Sequence, residues 1–156
     1  GLRSGTLNVP NIVGFGTSAI IAKREMQAQA SITQQWNQQL WDTLQARIGP
    51  LELNGHPTNR LPHNLNLYIP GIESRSFIVG LNELAISTGS ACTTASVQPS
   101  HVINALGFGE ERAHGSLRFG LGRSNSDEQV ERAIEIVVQR VQQLRSIKQV
   151  VSIKPT

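Results

Sequence analysis

The sequence predicts a small α+β domain, with helices packed on a short, mainly antiparallel sheet. Three observations carry that expectation. Apolar residues recur every three or four positions through two long stretches, residues 12–48 and 130–147. Apolar and polar residues alternate strictly over residues 64–69 and 117–121. The elements then follow in the order helix, two strands, helix, strand, loop, helix, strand, helix, with no repeat of fixed period.

Residues 1–6 are polar and Gly-rich and read as a loop whose backbone N–H groups and hydroxyl suit an anion. Pro10 opens the first helix, because proline is tolerated in the first turn. Ile12, Phe15, Ala19, Ala22 and Met26 hold one apolar phase, continued by Ile32, Trp36, Leu40, Leu44 and Ile48. The glutamines between them form a polar outer face. Gly49-Pro50 stops the helix.

Leu51-Glu52-Leu53 reads as a short strand closed by the Asn54-Gly55 turn. Residues 56–63, with Pro57 and Pro62, read as a loop; His56 and His63 match no metal-ligand spacing and are ordinary loop histidines. Leu65, Leu67 and Ile69 alternate with Asn64, Asn66 and Tyr68 in a half-buried strand that Pro70-Gly71 ends. Residues 72–84 fit a helix with Phe77, Leu81 and Leu84 on one side, and Ala85-Ile86-Ser87 a strand. Pro99 begins a short helix through Leu106, and Gly107 is its natural stop. In residues 116–121 the apolar Leu117, Phe119 and Leu121 point one way, Arg118 and Gly120 the other. Ser126 with Gln129 forms a capping box for the last helix, whose stripe is Val130, Ile134, Val137, Val141, Leu144 and Ile147. Asp127 and Glu128 suit its positive end, and Arg145 and Lys148 its negative end.

Composition excludes several classes of function. A chain of 156 residues suits one domain with a real core. Its net charge of +3 is small and dispersed, with no basic patch to attract nucleic acid. The apolar stretches are too short to cross a bilayer, and no targeting pattern is visible. One cysteine allows no disulfide framework and fits a reducing, cytoplasmic compartment.

That cysteine lies in Ser87-Thr88-Gly89-Ser90-Ala91-Cys92-Thr93-Thr94-Ala95-Ser96, where every residue except Ala91, Cys92 and Ala95 is Gly, Ser or Thr. A lone cysteine is most often a buried small hydrophobe. Cys92 sits on no apolar stripe but in a stretch of turn composition, so it is expected to be reachable from solvent. One thiol makes neither an internal disulfide nor a zinc pair. What remains is nucleophilic or redox chemistry through the thiolate.

The run from Thr88 to Val102, Thr-Gly-Ser-Ala-Cys followed by Thr-Thr-Ala-Ser-Val-Gln-Pro-Ser-His-Val, resembles the active-site loop of the pyridoxal-phosphate (PLP) cysteine desulfurases, long-loop group, class-V aminotransferase-like family. Those enzymes have Ser where Thr88 stands. Two further motifs match in the right order: Gly1-Leu2-Arg3-Ser4-Gly5-Thr6, and Ser116-Leu117-Arg118-Phe119-Gly120-Leu121-Gly122-Arg123. The resemblance covers nearly the whole chain but only the C-terminal portion of the family's sequence.

The resemblance implies the small C-terminal domain of the aspartate-aminotransferase-type fold (fold type I). Residues 1–11 become a cofactor-contact loop and the junction with a large domain. Residues 12–156 become the small domain, carrying the cysteine loop at 87–99. The implied reaction takes sulfur from L-cysteine, leaves L-alanine, and delivers the sulfur to an acceptor or iron-sulfur scaffold protein. Cys92 is the implied nucleophile and persulfide carrier. Arg118 is the implied clamp for the substrate carboxylate, matching it with two parallel hydrogen bonds. Thr6 is the implied contact to the phosphate of PLP in the neighbouring subunit of a homodimer. Roles for Arg3 and Arg123 stay open between site and scaffold. His101 and His114 are candidate bases for Cys92. No metal, nucleic acid or membrane is implied.

The sequence departs from the family where Gly115 and Gly120 replace a frequent Ser, which is expected to keep the strand and alter local hydrogen bonding. The family's PLP-binding lysine follows a histidine in a segment before residue 1, whereas Lys23, Lys148 and Lys154 follow none. The chain alone is therefore expected neither to hold PLP nor to turn over cysteine. A second reading is a cofactor-free sulfur-relay or interaction module built on Cys92. A Cys–His hydrolase is disfavoured, because no third group is apparent to orient the histidine.

Overall fold

Forty consecutive residues form the first element, α1 (Val9–Ile48), in a computed structural model that describes residues 4–88 and 100–152. The Asn8 side chain caps it, accepting from the Asn11 N–H at 3.3 Å. Gly49, joined to Pro50 by a cis peptide bond, ends it. The helix passes residues 11 and 12 without a break. Only its second half is buried, through Thr33, Trp36, Leu40, Leu44 and Ile48. Ile12, Phe15, Ala19, Ala22 and Met26 lie exposed, so the N-terminal apolar stripe meets no partner among the described residues.

Three antiparallel strands follow in the spatial order β1 (Glu52–Leu53), β2 (Asn64–Tyr68), β3 (Ser116–Gly120). Leu65 pairs with Phe119 and Leu67 with Leu117, and all four are buried on the helix-facing side. A side-chain period of two puts the Asn66–Arg118 pair on the opposite face. α5 (Asp127–Ser152) buries Val130, Ile134, Val137, Val138 and Val141 in the same core. It runs beside α1 in the same sense: the Trp36 indole N–H donates to Asp127 at 2.6 Å, and Arg145 reaches the Ile48 carbonyl at 2.7 Å.

Several elements differ from the sequence expectation. The helix expected over residues 72–84 is only α2 (Ser74–Ile78), capped by the Glu73 carboxylate on the Arg75 and Ser76 N–H groups. Burial opposes ionisation of Glu73, but hydrogen bonds from Ser76 and Arg75 prevail and hold it below the usual carboxylate range. Gly80, with φ of 84°, turns the chain away where a β-branched or bulky residue would be strained. Arg140 of α5 then fixes the turn by donating to the Ser76, Phe77 and Val79 carbonyls. The strand expected at residues 85–87 contracts to one bridge, Ser87 to Arg118. The helix expected from Pro99 to Leu106 appears as α3 (His101–Ala105), and α4 (Glu110–His114) was not expected at all. In α5, Ser126 does accept from the Gln129 N–H at 3.4 Å, but the Gln129 side chain accepts from Asn125 at 3.1 Å. Because α5 continues to Ser152, Arg145 serves the C-terminal end of α1 instead of its own, and Lys148 donates to the Gly71 carbonyl at 2.6 Å.

Candidate active site

Arg118 stands in the middle of β3 on the face turned away from α1 and α5, and it is exposed. On one side its backbone pairs with Asn66 of β2. On the other it exchanges two backbone bonds with Ser87, Arg118 N–H to Ser87 carbonyl at 2.7 Å and Ser87 N–H to Arg118 carbonyl at 3.2 Å. The Arg118 guanidinium donates to the Ser87 hydroxyl at 3.3 Å. No carboxylate of the described residues pairs with it. Many other arginines here are spoken for: Arg47 by Glu135, Arg112 by Glu52, Arg132 by Glu83, and Arg140 and Arg145 by backbone carbonyls. An exposed guanidinium without a counter-charge is suited to an anionic guest, and its planar fork matches a carboxylate.

A scaffold fixes this strand on the face that carries Arg118. Arg112 of α4 donates to the Asn54 side chain at 2.7 Å and to the Leu53 carbonyl at 2.8 Å, and lies 3.7 Å from the centre of the Phe108 ring. Asn54 donates to Asn66 and to the Ser116 hydroxyl, each at 2.8 Å. Ser116 donates to the Arg112 carbonyl at 2.6 Å, closing the circuit. These groups anchor β1, β2 and β3 to α4. Sequence reasoning missed them, since five-residue α4 is too short to show a period and its contacts lie far apart in sequence.

The two glycine departures prove unequal. A Cβ on Gly115 would lie 2.5 Å and 2.8 Å from Tyr68 ring carbons and 3.0 Å from the Ile72 carbonyl oxygen. The ring is not free to yield: Tyr68 is buried, and its hydroxyl donates to Glu111 at 3.0 Å. Burial, and then the Glu111 carboxylate, push the Tyr68 phenol up. A Cβ on Gly120 would meet nothing within 4 Å. Gly115→Ala is expected to cost about 1–3 kcal/mol through overpacking, and Gly120→Ala to stay within about 0.5 kcal/mol of the parent. Denaturant melts of the two variants check this, and equal midpoints would contradict it.

The remaining candidates among the described residues are dispersed. Cys92 and Arg3 lie outside the described residues, as does most of the loop at 87–99. His101 begins α3 and His114 ends α4. The His56 ring accepts from the Thr58 and Asn59 N–H groups at 3.1 and 2.9 Å, a structural role in its loop. His63 offers its carbonyl to the Leu121 N–H at 2.9 Å. Arg123 faces Glu25 of α1 at 3.8 Å, an exposed pair of small energetic weight. Thr6 is exposed just before α1. Leu40 and Phe119 line one cavity of about 420 Å³, so Arg118 sits level with the second half of α1. From Val9 to Leu40 the helix extends roughly 45 Å at about 1.5 Å per residue. The fold therefore does not bring Thr6 to Arg118 within one chain. No helix among the described residues is long and apolar enough to cross a membrane.

This architecture recurs in known proteins. Residues 1–133 match the aminotransferase class-V family, and the chain belongs to that family. It is 42% identical over 147 residues to a cysteine desulfurase IscS of an Anaeromyxobacter species, covering 94% of this chain and 36% of that protein. It is 40% identical over 147 residues to the cysteine desulfurase IscS of Rickettsia bellii, with the same coverage of 94% and 36%. The fold matches the X-ray structure of a NifS-like protein from Rickettsia africae with a TM-score of 0.75 at 26% identity, over 90% of this chain and 36% of that one. The small α+β architecture expected from the sequence is thus that of NifS-like proteins. The chain spans about a third of the length of these relatives.

Proposed function

We propose that this chain forms the C-terminal part of a PLP-dependent cysteine desulfurase, which moves sulfur from L-cysteine to Cys92 and on to a sulfur-acceptor or iron-sulfur scaffold protein. The observation that carries the reading is the Arg118 guanidinium, without a counter-charge among the described residues and bonded to Ser87 at the root of the cysteine-bearing segment. Cys92 follows Ser87 by five residues, so covalent geometry alone keeps their Cα atoms within about 18 Å. A carboxylate clamp and a sulfur acceptor within such reach suit an amino acid that bears a thiol. The two IscS relatives, named cysteine desulfurases, point the same way.

PLP would supply the electron sink that weakens the substrate C–S bond. Toward it, this chain offers Thr6. That hydroxyl stands before the positive end of a 40-residue helix whose first turn carries no acidic residue. A phosphate fits such a donor set. The distance between Thr6 and Arg118 along α1 supports a homodimer in which each cofactor takes Thr6 from one subunit and Arg118 from the other. The uncovered stripe of Ile12, Phe15 and Met26 supports a large domain packed against the first half of α1. At Cys92, the thiolate attacks the sulfur of cysteine; a new S–S bond forms, the C–S bond breaks with its electron pair left on carbon, and that carbon is protonated to alanine. A single cysteine supports a reducing, cytoplasmic setting.

PLP titration tests the division of labour. One hydroxyl bond to a charged phosphate contributes about 1.5–3 kcal/mol, so Thr6→Ala in the complete dimer will weaken PLP by roughly ten- to a hundredfold. This chain by itself will develop no cofactor absorbance. Stoichiometric cofactor absorbance in the isolated chain, or unchanged affinity in Thr6→Ala, would contradict the proposal.

A further inference from the structure

We infer that Ser87 is a positioning residue that holds the Arg118 guanidinium ready for the substrate carboxylate; this rests on reading Arg118 as the carboxylate clamp. An exposed arginine samples many rotamers, and freezing them at binding weakens affinity. Here the strand register limits the sampling. Ser87 and Arg118 exchange both backbone N–H···O bonds, at 2.7 and 3.2 Å. A pair of this kind places both side chains on one face of the sheet. The two backbone bonds hold the Ser87 and Arg118 Cβ atoms side by side, which keeps the hydroxyl within reach of the guanidinium. It takes one Nη2 bond, at 3.3 Å. A guanidinium has five N–H donors, so enough remain for a two-pronged carboxylate contact.

The opposite neighbour is engaged elsewhere. Asn66 faces Arg118 across β2, but its side-chain oxygen accepts from Asn54 at 2.8 Å. The guanidinium is thus drawn toward Ser87, the side from which the cysteine-bearing segment departs. The partner's neutrality matters as well. A hydroxyl orients the cation and leaves its charge for the substrate, whereas a carboxylate at this place would neutralise it.

Two nearly isosteric substitutions in the complete, PLP-loaded protein isolate the hydroxyl, with Arg118→Ala as the control. Both Thr and Val suit a strand, and only Thr keeps the hydrogen bond. Ser87→Val is expected to raise KM for L-cysteine about three- to tenfold with kcat within about twofold, the pattern of lost uniform binding. Ser87→Thr is expected to stay within about twofold of the parent in both. In a spectrum of arginine side-chain N–H groups, the Arg118 Nη protons will exchange with water faster in Ser87→Val than in Ser87→Thr. Equal KM and equal exchange in the two variants would overturn the inference, as would a common loss in both that follows their melting temperatures. If Arg118→Ala itself keeps the parent KM, the clamp reading fails; if it raises KM while Ser87→Val does not, the inference about Ser87 alone fails.

Discussion

Cys92→Ser in the complete protein will stop sulfur release from L-cysteine while leaving PLP bound. Serine keeps the size and shape of the side chain, but its hydroxyl is a far weaker nucleophile than a thiolate at neutral pH. Within this chain no other thiol can replace it, because Cys92 is its only cysteine. Sulfide and alanine production measured on matched samples checks the prediction. Undiminished sulfide release by the variant would remove Cys92 from the reaction.

The second large effect belongs to Arg118. Arg118→Ala will raise KM for L-cysteine and also slow turnover, because a substrate held without its carboxylate clamp presents its sulfur badly. Misplacement of about an ångström costs on the order of a hundredfold, so kcat/KM is expected to fall by about that factor or more. Arg118→Lys will recover only part of the loss, since an ammonium supplies charge without the planar fork. The fold will survive both changes, as the side chain is exposed and fills no core. Steady-state kinetics with an accompanying melting curve separates these outcomes.

Much of the scaffold was legible because it is periodic. Alternation at Leu65, Leu67, Leu117 and Phe119 marked β2 and β3, and the outward phase of Arg118 followed from it. Gly49-Pro50 marked the end of α1, and the stripe from Val130 to Val141 marked α5. Periodicity reports an apolar face, however, and not what covers it. Ile12, Phe15 and Met26 keep the same helical rhythm as Leu40 and Leu44, yet they lie exposed. Helices of five residues fall below the length at which a rhythm or propensity sum is informative, so the sequence does not announce α4 and overstates the length of α2. The Arg112–Asn54–Ser116 circuit and the Ser87–Arg118 contact join residues far apart in sequence, and no local pattern announces them. Thr6, Cys92 and Arg118 stand out by motif; Arg118 lies exposed beside Ser87 and Thr6 exposed just before α1, whereas Cys92 lies outside the described residues.

The central claim is that sulfur taken from cysteine rests on Cys92. The most direct test incubates the complete, PLP-loaded protein with L-cysteine under anaerobic conditions, without an acceptor, and maps the peptide masses after proteolysis. One added sulfur atom is expected on the peptide bearing Cys92, removed by a reductant and absent from Cys92→Ser. Alanine formed with no sulfur on that peptide, or sulfur retained on any other peptide, would contradict it.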